Sequence, residues 1–346
     1  MPKRFPLRLD IAQGRVDMTH GSGGRAMAQL IEELFLRHLD NDLLRQRNDQ
    51  ALFSVPGGRM VMSTDGHVIA PLFFPGGDIG SLAVHGTLND LAMSGARPLY
   101  LAAGFILEEG FPLRDLERLV VSMSRAACTA GVPVITGDTK VVEKGKGDGV
   151  FITTTGVGLV PEGVTISGER ARPGDAILIS GTLGDHGVAI MSSRENLDFE
   201  TSIESDSAAL HALVAEMVTA VPQIHCLRDP TRGGVATTLN ELAQQSGVGM
   251  LLHEATLPIR PEVRAACELL GLDPLYVANE GKLVCICEGR HAQQLLQVMH
   301  AHPLGAAAAV IGEVVEDSHG FVQMETSFGG RRIVDWLSGE QLPRIC

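Results

Sequence analysis

At 346 residues the chain exceeds the roughly 250–300 residues at which a single hydrophobic core stops growing, so two domains are expected. Hydrophobic residues make up 45% of it and aromatics only 4%, with 40 glycines, which suits an α/β pattern with many tight turns and disfavours an aromatic-rich β-sandwich. A formal charge of -13 excludes the clustered Lys/Arg that a nucleic-acid surface uses to displace counterions, and a phosphate substrate would need a metal to bridge it to so many carboxylates.

Residues 1–16, MPKRFPLRLDIAQGRV, carry basic side chains with no apolar run after them, and no uncharged stretch reaches the ~20 residues that span a bilayer. No membrane association and a cytoplasmic location are therefore expected. Next comes HGSGG (His20, Gly21, Ser22, Gly23, Gly24), then RAMAQLIEELFLRHL, whose apolar Met27, Leu30, Ile31, Leu34 and Phe35 have helical spacing. A helix starting near residue 24 would place glycine N–H groups at its positive end, where an anion can approach; an ordinary glycine turn with a serine cap fits as well.

Several apolar, β-branched runs then stop at short polar segments. MVMST runs into Asp65, PVIT into Gly137, Asp138, Thr139 and Lys140, and AILIS into GTLGDHG and a helix. Since ligands of α/β folds gather at the carboxyl ends of strands, loops there are expected to carry the chemistry. Asp90 lies in the amphipathic SLAVHGTLNDLAMSGA, Asp49 in QRNDQALF, and Asp229 opens DPTRGG before another helix. These hard oxygen ligands suit Mg²⁺, which keeps waters and bridges substrate phosphates. RDLERLVVSMSRAACTAG reads as an amphipathic helix covering a sheet, with Cys128 among small core residues. The polar turn SGERARPGD, residues 167–175, is the expected domain boundary. In KLVCICE the two-residue period turns Cys285 and Cys287 to one face of a buried strand rather than toward a metal. Six cysteines without a secretory signal do not make a disulfide scaffold, and one of them, Cys346, is the last residue.

HGSGG, STDG, FFPGGDIG, NDLAMSGA, FILEEG, TGDTKVVE, SGTLGDHG, DPTRGG, NEGKLV, HPLG and the terminal PRIC together resemble the HypE family of hydrogenase-maturation factors, from about residue 17 to Cys346. The resemblance implies a two-domain α/β (α+β type) fold like that of aminoimidazole ribonucleotide synthetase. Its parts would be an N-terminal segment with glycine loop and helix (1–44), an ATP-binding and dimerisation domain (45–166), a C-terminal α/β domain (167–335) and a flexible tail (336–346). It also implies a homodimer in which the first domain packs its strands against the same domain of a second subunit, with nucleotide near that interface.

The implied activity is ATP-dependent dehydration of a carbamoyl group on Cys346 to a thiocyanate, which supplies cyanide to the iron of [NiFe]-hydrogenase. A carbamoyltransferase would load Cys346 and an iron-carrying scaffold complex would accept the cyano group. In this family Glu280 and Lys140 fall at proton-transfer positions, and Asp49, Asp65, Asp90 and Asp229 at metal and phosphate positions. His20, Gly21, Ser22, Gly23, Gly24, Gly137, Asp138 and Thr139 fall at ATP-binding positions. A surface location beside Lys282 is the plainer alternative for Glu280, and neutralising phosphate is that for Lys140. Pro343 is expected to stiffen the tail and Arg344 to favour the Cys346 thiolate. An ATP-dependent small-molecule kinase or synthetase of the same superfamily is the alternative function, and a tail serving only as a docking peptide or thiol carrier is a third.

Overall fold

A computed structural model describes residues 8–21, 25–46, 53, 55, 57–194, 203–337 and 344–346. Ser22, Gly23, Gly24, Asp49 and Pro343 lie outside the described residues.

Helix α1 (Arg25–Leu30) continues through a π-helical turn, Ile31–Phe35, into α2 (Leu36–Leu39). Leu30, Leu34 and Phe35, on its inner side, enter the core of the first domain. That core lies between helices and a four-stranded sheet. In chain order come β1 (Arg59–His67), the short pair β2 (Phe73–Phe74) and β3 (Gly77–Asp78), then α3 (Ile79–Ala92). They are followed by β4 (Arg97–Glu108), α4 (Leu113–Ala130), β5 (Val134–Val142) and β6 (Val150–Val160). The sheet order is β1-β6-β4-β5, antiparallel except for the β4/β5 pair. Asp78 starts α3 with a capping box, its carboxylate accepting from the amides of Gly80 and Ser81.

Two helices differ in character. α4 is amphipathic as its pattern predicts, burying Leu113, Leu116, Leu119, Val120 and Met123. Cys128, expected among the core residues, is exposed on it. α3 instead is buried nearly all round, because one side packs on its own sheet and the other meets the second domain, and the polar face expected of it is used across that junction.

The second domain contains β7 (Asp175–Ile179), α5 (Asp185–Arg194), α6 (His211–Ala220), β8 (Cys226–Arg228), α7 (Gly234–Ser246) and β9 (Gly249–His253). It continues with α8 (Pro261–Leu270), β10 (Val284–Glu288), α9 (Ala292–Ala301), β11 (Ala309–Val315), β12 (Val322–Glu325) and β13 (Arg331–Ile333). The sheet runs β13-β12-β9-β11-β7-β10-β8. Cys285 and Cys287 of β10 are fully buried with α6 and α9, while Val284 and Ile286 face the core shared with α7. That is the two-residue alternation read from KLVCICE.

The expectation that strands end at Asp65 and at TGDTK is corrected. β1 runs through Asp65 to His67, and β5 through the whole of Gly137–Lys140 to Val142. Polar residues sit within both strands at little cost, because each strand is an edge of its sheet and its alternate side chains reach solvent or the domain cleft. Among the described residues no helix is long and apolar enough to cross a membrane.

Candidate active site

Asn279, Glu280, Gly281 and Lys282 sit at the junction of the two domains, and each has a separate physical task. The buried Asn279 side chain donates to the carbonyls of Pro230 and Val277, both at 3.1 Å, and accepts from the Gly184 amide at 2.8 Å. It thereby ties the DPTRGG and GTLGDHG loops together. Gly281 lies directly under the segment 203–210: a Cβ there would stand 1.8 Å from the Asp206 carbonyl oxygen. Asp206 accepts from the Glu280 amide and from Lys282 Nζ, both at 3.0 Å. On the other side, Asn89 of α3 donates to the Glu280 carbonyl at 3.1 Å.

The backbone of Glu280 is thus held from both domains while its carboxyl is buried. Among the described residues Glu280 Oε1 has no hydrogen-bond partner. Burial, reinforced by the nearby Asp229, Asp206, Asp65 and Asp90, pushes its proton affinity well above that of an ordinary carboxylate. A surface carboxylate paired with Lys282 would have neither property, and Lys282 is paired with Asp206 instead.

Asp65, Asp90 and Asp229 converge from three elements. Gly86 of α3 has no side chain where Asp65 packs, a Cβ there lying 3.3 Å from Asp65 Oδ2. Asp90 accepts from Ser63 Oγ at 2.6 Å, and its affinity for a proton is raised by burial. Asp229 is pushed up to about 7 by burial and then by Asp90. Asp90 and Asp229 line an interdomain cleft of about 820 Å³, together with Arg228 and Arg232. Among the described residues no three acidic, histidine or cysteine side chains form a closed metal cage. Carboxylates this short of compensating charge nonetheless suit a divalent cation that arrives with phosphates and keeps its waters.

The chain ends inside this cluster. Cys346 Sγ lies 3.5 Å from Arg232 Nη2, and one oxygen of its carboxylate accepts from the Val68 amide at 3.0 Å. Burial, then Glu280, pushes the thiol up to about 12, with Arg232 opposing them. Docking here therefore disfavours the thiolate, the nucleophilic form of Cys346. Arg344 is ion-paired with Asp148, so Arg232, rather than the expected Arg344, is the cation at the sulfur.

Lys140 is elsewhere. Asp65, Thr154, Ala103 and Gly137 form one row across β1, β6, β4 and β5, which puts β5 about 14 Å from Asp65 at ~4.8 Å per strand. Asp65 faces α3, whereas Asp138 and Lys140 project from the opposite face and pair at 2.6 Å. Thr139, between them, points into the core. His20 is buried and accepts from the Asp17 amide, and Gly21 packs so closely on Val141 that a Cβ would meet its backbone nitrogen at 2.9 Å. The residues flanking the glycine loop are thus fixed on β5. Beside them an apolar pocket of about 120 Å³ is lined by Met27, Ile31, Phe35, Phe105 and Gly137–Thr139.

In one chain, then, the candidates form two groups: Cys346, Glu280, Asp65, Asp90 and Asp229 at the junction, and His20, Gly21 and Gly137–Lys140 along β5. Arg232, Asn89 and Asn279 complete the first group. They stand inside DPTRGG, NDLAMSGA and NEGK, motifs whose charged carboxylates drew the attention. Asp206 lies in no motif, and its importance follows only from its place against Gly281.

This chain is 72% identical over 339 residues to the carbamoyl dehydratase HypE of Azotobacter vinelandii, a match covering 98% of this chain and 99% of that protein. It belongs to the HypE family of carbamoyl dehydratases. The two halves match the N-terminal domain (residues 47–160) and C-terminal domain (residues 172–325) of AIR synthase related protein. A crystal structure of the hydrogenase maturation protein HypE in complex with ATP has 53% sequence identity and superposes with a TM-score of 0.92, over 95% of this chain and 99% of that one. HypE in a HypE–HypF complex has 49% identity and a TM-score of 0.79, over 89% of this chain and 99% of that one. The HypE fold here is the two-domain α+β arrangement that the resemblance implied.

Proposed function

We propose that this protein uses ATP to dehydrate an S-carbamoyl group on Cys346 to a thiocyanate, and donates the cyano group for the iron centre of [NiFe]-hydrogenase. The observation that carries this reading is the Cys346 sulfur seated beside Arg232 and the buried carboxyl of Glu280, whose Oε1 has no hydrogen-bond partner among the described residues. The ATP-bound HypE relative supports nucleotide as the activating reagent.

The reaction balances as protein–S–C(O)NH₂ + ATP⁴⁻ → protein–S–C≡N + ADP³⁻ + HPO₄²⁻ + H⁺. The carbamoyl oxygen leaves on phosphate, and both nitrogen protons are lost. Arg232 donates to the carbamoyl oxygen and offsets charge that collects there. Glu280 takes a nitrogen proton as the C–N multiple bond forms, and burial makes it a stronger base than an ordinary carboxylate. Asp65, Asp90 and Asp229 would hold Mg²⁺, which when bound neutralises phosphate oxygens during phosphoryl transfer.

His20, Gly21 and Gly137–Thr139 are assigned to the nucleotide, with the adjacent apolar pocket suited to its base. Lys140 lies on the wrong side of the sheet to reach Cys346 within one chain, and we assign it to the site through a homodimer. The outer sheet face exposes Met60, Met62 and Ile106, an apolar surface that a second copy would cover. A HypF-like carbamoyltransferase is the partner assigned to loading, by analogy with the HypE–HypF complex. An iron-carrying maturation scaffold is assigned to cyanide acceptance, and a cytoplasmic location follows from these roles.

Mass spectrometry of the intact protein and its C-terminal peptide tests the reading, after incubation with Mg-ATP, carbamoyl phosphate and the carbamoyltransferase, with Cys346→Ala as control. The expected result is a carbamoyl adduct on Cys346 that loses water only when ATP is present. ATP consumption with unmodified Cys346 would instead point to a small-molecule substrate.

A further inference from the structure

Two hydrogen-bonded devices grip the end of the chain, and both arise from α5. The first is His186, fully buried at the start of the helix. Its Nε2 lies 2.8 Å from the Ile345 carbonyl oxygen and its Nδ1 lies 2.7 Å from Ser205 Oγ. A carbonyl can only accept, so Nε2 carries the proton; in the neutral ring that burial favours, Nδ1 accepts from the Ser205 hydroxyl. Phe74 packs edge-on against the imidazole, with ring centroids 5.7 Å apart. The second is Arg194, at the other end of α5, which donates to the carbonyls of Ala70 and Arg344. Between these grips the Ile345 side chain is buried in the first domain's core. The tail backbone runs antiparallel to residues 68–70, with the Val68 and Ala70 amides donating to Cys346 and Arg344.

Ser205 also adjoins Asp206, which accepts from the Glu280 amide. One dipeptide therefore orients both the imidazole that holds the tail and the backbone of the carboxyl that faces the sulfur. Ser205 is itself fixed, its amide donating to the Pro75 carbonyl and its hydroxyl oxygen accepting from the Ser207 amide.

We propose that His186 is a positioning residue for dehydration: through the Ile345 carbonyl, and in register with Glu280 through Ser205–Asp206, it sets the loaded Cys346 sulfur against Arg232 and Glu280. The inference rests on the dehydratase reading above. A carbamoyltransferase loads Cys346 in its own active site, outside these contacts, so the proposal assigns His186 to dehydration and not to loading.

The test uses full-length protein carbamoylated on Cys346 by the carbamoyltransferase, followed by single-turnover loss of water after Mg-ATP addition. His186→Phe keeps a ring of similar size and removes the Nε2 donor. Dehydration should slow roughly 10- to 100-fold, the loss of one buried hydrogen bond, while carbamoylation is not slowed. His186→Gln restores a donor near the Nε2 position and should recover most of the rate. Iodoacetamide should alkylate unloaded Cys346 faster in His186→Phe than in wild type. Ser205→Ala, which leaves the ring in place, should show the same pattern more weakly and covers the case in which His186→Phe folds poorly. Equal dehydration rates for wild type, His186→Phe and Ser205→Ala would overturn the inference, as would parallel losses in loading and dehydration. Wild type that loads but never loses water would overturn the dehydratase reading instead, which separates the two failures.

Discussion

The two groups of candidate residues differ in how they handle charge. At the domain junction burial raises the proton affinities of Glu280, Asp229 and Cys346 together, so the groups around the sulfur are poised to carry protons. On β5 the exposed Asp138 is held below the usual carboxylate range by its hydrogen bond from Lys140, so that pair stays charged. The contrast separates buried carboxyls, whose proton affinity is raised, from an exposed ion pair on the opposite face of the same sheet. Lys140, expected at a proton-transfer position, is exposed and paired with Asp138, away from the sulfur.

The largest effect that would break this division is expected at Glu280. Glu280→Gln keeps the volume and removes the base, and the carbamoylated protein should accumulate, with dehydration slowed about 10²- to 10⁴-fold and loading unchanged. In wild type the single-turnover rate should rise with pH through a limb well above the ordinary carboxylate range, since the base works only when deprotonated. Rapid dehydration by Glu280→Gln would remove Glu280 from the mechanism.

Lys140→Ala sharpens the same contrast. If Lys140 serves phosphate, KM for ATP should rise roughly tenfold while the single-turnover rate at saturating ATP changes little. Its melting temperature should move by no more than about 1 °C, because an exposed ion pair adds little stability. A collapse of the saturated rate with an unchanged KM would return Lys140 to proton transfer.

The smallest effect concerns Asp229. Its pKa in the folded state, about 7, lies above the 3.8 of an ordinary aspartate, so the folded state binds the proton more tightly than the unfolded chain. The carboxylate therefore costs stability as pH rises from about 4 to about 7, and the full cost applies above that window. Asp229→Asn removes the cost, and because the residue opens on a solvent-filled cleft the gain is modest. Melting temperature should rise by about 2–5 °C at pH 8, with a smaller gain at pH 5, as differential scanning fluorimetry would register. A gain equal at both pH values would show that burial of charge is not its cause.

Much of this site was legible in local sequence. The helix after residue 24, the amphipathic α4, the buried KLVCICE strand and the acidic motifs all follow from periodicity and residue chemistry acting over a few positions. The same local reading placed Asp65 and Asp138 in loops, since a polar residue after an apolar run resembles a stop. An edge strand with one face open tolerates it, and edge position is a property of sheet order. Gly281 illustrates the same limit: its requirement for no side chain comes from the Asp206 carbonyl, 75 residues earlier in the numbering.

Sequence by itself determined the family, the cysteine at position 346 and the inventory of carboxylates, because those rest on residue identity. Tertiary structure decided which of them share an environment. Burial at the domain junction raises the proton affinities of Glu280 and Cys346, and the packing there sets Arg232 rather than Arg344 beside the sulfur and leaves Lys140 across the breadth and on the other face of the sheet. Dielectric surroundings and through-space distance set those outcomes, and neither is a property of any single stretch of chain.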